Sequence, residues 1–399
     1  VFPGQDREGS EDIDGEQTEN IRKLVQVKFT EALEFKELVT YIPNKKELIH
    51  NWYYFKEGFS KELVDIFIDN FQLDDKSLVI EPFCGSGTTP LACKQKGIRS
   101  VAFDVSPFFV FVSKVKTRDY DMEVLKNNID EAISWKFERP KSLPKEKYIR
   151  KVFSRYTLED TIFYRNKIRQ VEDEYARDFL LLALVDSAIK ASWTKKDGAV
   201  VKIQKKGKPP LKKFFKYKIK KMFKDLKKAE MKPIDTRIEL GDARSLNIED
   251  NTVDAVITSP PYLNKIEYSR IYDIETSLFF DFPNNALRSH IGSRVEDIDV
   301  SDIGLDNNLP LSAKAYFKDI NSVLLELYRV CKDGARLAIV IGGGCFPDRA
   351  IESDRVSAEL AERMGFTVND ILVARNSWCT RARTIKIGKI RESIILLEK

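Results

Sequence analysis

The chain has 399 residues, of which 43% are apolar, 11% aromatic and 32% charged. This length suits one large domain with an insertion, or two domains, and the apolar content excludes a mainly disordered chain. No stretch approaches the ~20 consecutive apolar residues of a membrane span, so we expect a soluble protein without a membrane partner.

The formal net charge of +5 conceals one concentrated basic segment. Residues 195–228 contain fifteen lysines and only two acids, Asp197 and Asp225. Phosphate-rich partners bind such segments, so we interpret this one as a site for a polyanion. A lysine-rich helix face that meets only solvent is the alternative.

Cysteine and histidine usage predicts neither a metal site nor a disulfide framework. The five cysteines form no Cys-x-x-Cys pair, and the chain has only two histidines, His50 and His290. Structural zinc sites need clustered thiolates or imidazoles. We therefore expect no metal, and a reducing, cytoplasmic environment.

The first part of the chain predicts a tail followed by a parallel sheet. Residues 1–20 are acidic and poor in apolar side chains, which indicates a disordered tail. Residues 61–71 repeat apolar side chains at helical spacing. A short strand (78–80), a glycine-rich turn, a helix and a second strand (100–103) then form a βαβ unit.

The middle of the chain predicts a basic, mostly helical insertion at 118–235, which interrupts one α/β domain formed by 21–117 and 236–399. The insertion is rich in charged and aromatic residues and has few strand-like runs. After it, the α/β pattern resumes with an apolar strand near 253–257 and a helix at about 312–330. Further strand-like runs follow up to the end of the chain.

The first chemical signal is the turn EPFCGSGTT at 81–89, which follows a strand. Glycines let the backbone approach a ligand, and the next helix presents free N–H groups. Asp104 ends the second strand, where an acid can accept hydrogen bonds from ribose hydroxyls. Taken singly, the glycine-rich stretch could be a simple tight turn, and Asp104 could be a helix cap.

The second signal is Ser-Pro-Pro-Tyr at 259–262, directly after an apolar strand. Two prolines rigidify a loop and leave carbonyl oxygens as acceptors beside a hydroxyl and an aromatic ring. Such a loop can hold an amino group while the ring stacks on the attached base. Taken alone, the loop could also be a plain turn.

Together these motifs resemble the S-adenosylmethionine-dependent amino-methyltransferases of DNA, over residues of about 48–115 and 237–399. The resemblance implies an α/β, Rossmann-like methyltransferase fold with a mostly parallel sheet, and S-adenosyl-L-methionine as cofactor. The aromatic stretch 52–59 lies where the family has its N-terminal cofactor segment, with core packing as the alternative. Glu81 stands where the family commonly has Asp. The implied cofactor contacts are Glu81, Phe83, Cys84, Gly85, Gly87, Thr88, Thr89, Asp104 and Asp242.

The resemblance also implies catalytic roles for Ser259, Pro260, Pro261 and Tyr262. A base flipped out of the duplex would stack on Tyr262, and Ser259 and the Pro260 carbonyl would accept hydrogen bonds from its exocyclic amine. In the family, Ser at the first loop position leans toward cytosine, and Asp or Asn toward adenine. We therefore expect a site-specific N4-cytosine DNA methyltransferase. The alternatives are an adenine N6 enzyme, an RNA amino-methyltransferase and a catalytically inactive nucleic-acid-binding protein.

Double-stranded DNA is the expected partner, and a modification role would pair the enzyme with a restriction endonuclease. The segment 118–235 is the expected target-recognition region. Residues 212–218 could contact nucleic acid, or they could form an amphipathic helix that packs Phe214, Phe215 and Met222 inward. The basic loop around 381–383 could contact the DNA backbone, or it could be a solvated hairpin loop. The expected DNA contacts are Lys205, Lys206, Lys212, Lys213, Lys216, Arg270, Arg381 and Arg383.

Overall fold

The computed structural model describes residues 28–197, 200–263, 271–280, 290–292, 298–381 and 385–399. The tail expected at 1–20 lies outside these residues. Within the described ranges, none of the helices combines the length and apolar character that crossing a membrane requires.

One mostly parallel sheet forms the centre of the fold. In chain order the described strands are β1 (Phe29–Glu31), β2 (Leu78–Glu81), β3 (Arg99–Asp104), β4 (Thr194–Asp197), β5 (Val200–Ile203), β6 (Thr236–Leu240), β7 (Val253–Thr258), β8 (Cys331–Gly342), β9 (Gly344–Cys345), β10 (Ala350–Ile351), β11 (Thr367–Arg381) and β12 (Ile385–Glu398). Eight of them form the sheet, in the order β1-β11-β12-β8-β7-β2-β3-β6. Its neighbouring strands are parallel except β11–β12 and β12–β8. This is the expected Rossmann-like α/β architecture.

Helices pack on both faces of the sheet, and further helices form the segment 118–235. The described α-helices are α1 (Lys61–Asn70), α2 (Thr88–Lys96), α3 (Pro107–Thr117), α4 (Met122–Ser134), α5 (Lys147–Val152), α6 (Arg155–Ile168), α7 (Glu174–Ala191), α8 (Leu211–Lys228), α9 (Asp273–Phe279), α10 (Leu311–Val330) and α11 (Ser353–Arg363). Several begin at a polar cap; the Asp173 carboxylate, for example, accepts the N–H of Ala176 at the start of α7.

The apolar side chains of the parallel strands divide between two faces of the sheet. In β2, Val79 packs with α1 and α2, whereas the next residue, Ile80, packs with α10 on the other face. Both residues are fully buried. This alternation follows from the two-residue period of a strand, and burial on both faces explains why the strands are apolar runs.

The segment 118–235 shares its core with the rest of the protein. Its helices α4 to α8 pack in one hydrophobic cluster with α3 and α9. Trp52, which precedes the insertion, meets Phe179 of α7 edge to face, with ring centroids 5.4 Å apart. The expected helical character is correct. The segment also contains the antiparallel hairpin β4–β5, which the scarcity of strand-like runs did not predict.

The expectation of no disulfide is wrong for one pair of cysteines. Cys345 in β9 and Cys379 in β11 form a disulfide, although they are 34 residues apart and belong to no recognisable motif. The pairing of β11 with β12 and the short β9–β10 ladder bring the two residues together. Cys84, Cys93 and Cys331 are free and buried.

Candidate cofactor and catalytic cleft

A cleft opens where the strand order of the sheet reverses. From β2 the chain builds outward through β3 and β6, and then returns to place β7 on the other side of β2. In open α/β sheets, ligands bind at such a switch point, outside the carboxyl ends of the strands. Residues that follow β2, β3, β6 and β7 all line this cleft, which encloses about 840 Å³ including its open mouth.

Asp104 faces the cleft from the end of β3 and is held by the glycine-rich turn. Its carboxylate accepts the N–H of Gly85 at 2.9 Å and the N–H of Ser106 at 2.8 Å. Burial raises the pKa of Asp104 to about 6, and the two backbone N–H groups oppose that rise. A carboxylate has further lone pairs, so these two bonds leave capacity for ribose hydroxyls.

The two glycines of the turn are required by close packing. Gly85 and Gly87 both have positive φ, +47° and +79°. A Cβ on Gly85 would stand 2.8 Å from the Phe55 ring, and one on Gly87 would stand 2.8 Å from the Ser113 hydroxyl. The aromatic stretch before α1 therefore lies directly on the turn, and this contact places Phe55 in the cleft wall.

Glu81, at the end of β2, connects the turn to β7 from inside the protein. Its carboxylate accepts the N–H of Phe83 at 3.0 Å, the hydroxyl of Thr89 at 3.0 Å and the hydroxyl of Thr258. Burial raises the pKa of Glu81 to about 7, against these hydrogen bonds. Glu81 borders only a small hollow beside the main cleft, as do Cys84 and Thr88.

The proline loop after β7 also lines the cleft. Ser259, Pro260 and Pro261 line it together with Asp104 and Phe83. Two of the motifs predicted from the sequence, which lie about 170 residues apart in the chain, therefore meet in one cavity.

Tyr262 is placed differently from its neighbours in that loop. It is not among the residues that line the cleft. Its ring lies on β8, where a Cβ on Gly342 would stand 2.5 Å from the ring. Its hydroxyl donates to the Glu392 carboxylate at 2.7 Å, and Arg375 pairs with the same carboxylate. The stacking role of Tyr262 stays a prediction.

Asp242 lines the cleft beyond β6, at the expected position. Its carboxylate accepts hydrogen bonds from the Arg244 guanidinium, the shortest at 2.6 Å. Arg244 also pairs with Asp319 of α10 at 2.8 Å. A cofactor amine at this position would share the Asp242 carboxylate with a fixed guanidinium, which the motif alone did not indicate.

Sequence reasoning missed much of the cleft wall. Phe109 of α3 and Thr276 of α9 line it without belonging to a predicted motif. Glu57 and Tyr272 also line it; Glu57 belongs to the aromatic stretch 52–59, and Tyr272 ends the stretch 267–272, which closely follows the proline loop in the sequence. Tyr272 and Phe109 meet edge to face with centroids 4.8 Å apart, so the wall is a packed aromatic cluster.

The structure describes the side chains of five of the eight predicted DNA contacts. Lys205, Lys206, Lys212 and Lys213 are exposed, and Lys216 is half-buried. Phe215 and Met222 face inward from α8, which confirms the amphipathic-helix alternative for that segment. Arg270, Arg383 and the side chain of Arg381 lie outside what the structure describes. The DNA-binding role of all eight residues stays a prediction.

The cleft therefore has the features expected of a nucleoside site in a Rossmann-like methyltransferase, with an acid after the second strand and an acceptor-rich loop in the same cavity. Residues 56–308 match the family model of D12 class N6 adenine-specific DNA methyltransferases. This is more than half of the chain, and it includes both motifs and the insertion. The chain belongs to this family of S-adenosylmethionine-dependent DNA amino-methyltransferases.

Full-length relatives agree with this assignment. The chain is 27% identical to the Type II methyltransferase M.BsoBI of Geobacillus stearothermophilus, over 91% of this chain and 88% of that protein. It is 25% identical to the Type II methyltransferase M.AvaI of a Nostoc species, over 85% and 83%. A SAM-dependent methyltransferase structure from Methanosarcina mazei covers 84% of this chain and 96% of its own, with 10% identity and a TM-score of 0.33.

The residues of the cleft fit S-adenosylmethionine. A half-buried carboxylate at Asp104 and an aromatic wall are suited to a ribose and a base.

Proposed function

We propose that this protein transfers a methyl group from S-adenosylmethionine to the exocyclic amine of a flipped-out base in duplex DNA, as a Type II modification enzyme. The observation that carries the proposal is the shared cleft. Asp104, the acid suited to the cofactor, and Ser259 to Pro261, the loop suited to an amine, line one cavity at the switch point of the sheet. A protein that only bound DNA would not need both.

The cofactor supplies an electrophilic methyl group on a sulfonium sulfur. The chain's own residues bind and orient the amine: the Ser259 hydroxyl and the Pro260 carbonyl accept its hydrogens, which directs the nitrogen lone pair toward the methyl group. Orientation of this kind supplies much of the rate of a two-substrate reaction. The exocyclic amine would attack as a neutral group through its lone pair, so no strong base would be needed before transfer. The positive charge would pass to the amine nitrogen, which would then release one proton to solvent.

The family description supports adenine N6 as the target atom, because residues 56–308 match a model named for that activity. A second candidate, cytosine N4, is supported by Ser259, since Ser at this loop position leans toward cytosine among amino-methyltransferases. Adenine is our first proposal. Both candidates use the same cleft and the same acceptor groups.

The basic face of α8 is the proposed contact with the DNA backbone. Its apolar side packs in the core, so its lysines are held on a rigid element. Lysine contacts with phosphates give affinity that depends on salt and carry little sequence information. We propose that the segment 118–235 recognises the target sequence. We also propose that a restriction endonuclease is the cognate partner.

One experiment tests the reaction and the base. The protein is incubated with methyl-labelled S-adenosylmethionine and mixed-sequence duplex DNA, and the digested nucleosides are separated by mass spectrometry. N6-methyladenine is the expected product. N4-methylcytosine would replace the first candidate with the second. Absence of transfer to DNA, with transfer to RNA in a parallel reaction, would refute the DNA substrate.

A further inference from the structure

The hairpin β4–β5 of the basic segment reaches the wall of the cofactor cleft. Lys195 and Lys196 are neighbours in β4, and strand alternation points them in opposite directions. The Lys195 side chain is exposed, whereas the Lys196 side chain is only 15% exposed. One of the fifteen lysines expected to face solvent or phosphate is thus directed into the protein.

The Lys196 ammonium lies between a carboxylate and an aromatic ring. It pairs with Glu275 of α9 at 2.5 Å, and Glu275 is fully buried. It also lies 3.6 Å from the centroid of the Tyr272 ring, a short cation–π distance. Tyr53 donates a hydrogen bond at 2.7 Å to the same Glu275 oxygen, Oε1, that pairs with Lys196.

Tyr272 lies between Lys196 and the cleft. Its side chain is 3% exposed and lines the cleft. Its hydroxyl donates to the Glu57 carboxylate at 2.8 Å, and Glu57 lines both the main cleft and the hollow beside Ser259. Lys196 therefore contacts the ring whose hydroxyl holds Glu57, in addition to the aromatic contacts of that ring, such as the one with Phe109.

We propose that Lys196 is a positioning residue for the cofactor site: it fixes Tyr272, and through Tyr272 it fixes Glu57 in the cleft wall. Cofactor affinity then depends on a residue of the basic segment that touches no cofactor. The inference rests on S-adenosylmethionine binding in this cleft, but not on the identity of the methylated base.

The test measures binding of S-adenosylhomocysteine by isothermal titration calorimetry, without DNA. This probe lacks the sulfonium charge, so a changed charge in the wall affects it little, and binding is measured without turnover. In Lys196→Met, the cation–π contact and the ion pair are lost, and we expect the dissociation constant to rise about tenfold. Lys196→Arg keeps the cation and should stay within about threefold of the wild type, because Arg also stacks on aromatic faces.

Lys195→Met is the matched control, with the same change one residue away on the exposed side of the strand. It should leave cofactor binding within about twofold of the wild type, which is the scatter expected of a surface change. Equal weakening in Lys195→Met and Lys196→Met would overturn the proposal, and so would wild-type binding in Lys196→Met. An arginine variant as weak as the methionine variant would also contradict it, since a positioning cation should be replaceable.

Lys196→Met leaves Glu275 buried without its cation, which can prevent folding. Tyr272→Phe tests the proposal even if Lys196→Met does not fold. It keeps the ring under Lys196 and removes only the hydroxyl that holds Glu57. We expect about threefold weaker binding, which is less than the full effect of a hydrogen bond to a charged group, because the lost bond acts on the cofactor only through the position of Glu57. Unchanged binding in Tyr272→Phe would refute the link to Glu57. Failure of the wild type to bind the probe would instead refute the cofactor assignment.

Discussion

Replacing Glu81 with Gln should change how stability depends on pH. Glu81 is 3% exposed, and burial raises its pKa to about 7, from 4.5 for a free glutamate. Between these two values the folded chain holds a proton that the unfolded chain has released. Folding is therefore progressively disfavoured as the pH rises through this window.

The expected size follows from the two pKa values. The full shift of about 2.5 units corresponds to roughly 3 kcal/mol, of which about 2.5 kcal/mol develops between about pH 5 and pH 8. Gln does not titrate and can preserve the hydrogen bonds. Its carbonyl can accept from Phe83 and Thr258, and its amide can donate to the Thr89 hydroxyl, which itself bonds the Ile257 carbonyl at 3.1 Å.

The assay is urea unfolding of the wild type and of Glu81→Gln at both pH values. Titrating groups that do not interact with Glu81 contribute equally to both proteins and cancel in the difference. The charge of Asp104 is one of the causes of the raised Glu81 pKa, so it is part of the expected effect. We expect the variant to gain about 2.5 kcal/mol relative to the wild type between pH 5 and pH 8. A constant difference between the two proteins would show that Glu81 is ionised in the folded state throughout, and would refute the reasoning.

Three further predictions concern binding, catalysis and thiols. Tyr262→Ala should reduce methyl transfer far more than S-adenosylmethionine binding, and Asp104→Ala should do the reverse; equal losses of both in each variant would contradict these roles. The double variant Lys212→Gln/Lys213→Gln should lower the slope of log K against log salt for duplex DNA by about 1.8, at ~0.9 per lost phosphate contact. Lys76→Gln, an exposed lysine before β2, is its control, and an equal effect there would argue against a specific basic face. A thiol assay of the unreduced, denatured protein should find three reactive thiols, and five after reduction; five without reduction would exclude the disulfide.

The sequence determined the elements that depend on local pattern. The βαβ unit around the glycine turn was predictable because apolar strands, glycines with positive φ and a terminal acid are properties of neighbouring residues. The amphipathic α8 was predictable for the same reason, since Phe215, Ile219 and Met222 recur at helical spacing. The Ser-Pro-Pro-Tyr loop carried its chemistry in four consecutive residues.

Only the tertiary structure decided which distant residues meet. The strand order brings Asp104 and Ser259 to one cleft, and the same order turns Glu81 inward to Thr258. It also carries Tyr262 onto β8 and Glu392, and it places Lys196 over Tyr272. Each of these contacts joins residues separated by tens to hundreds of positions. Hydrophobic periodicity says which side of a strand or helix is buried, but not which partner lies against it.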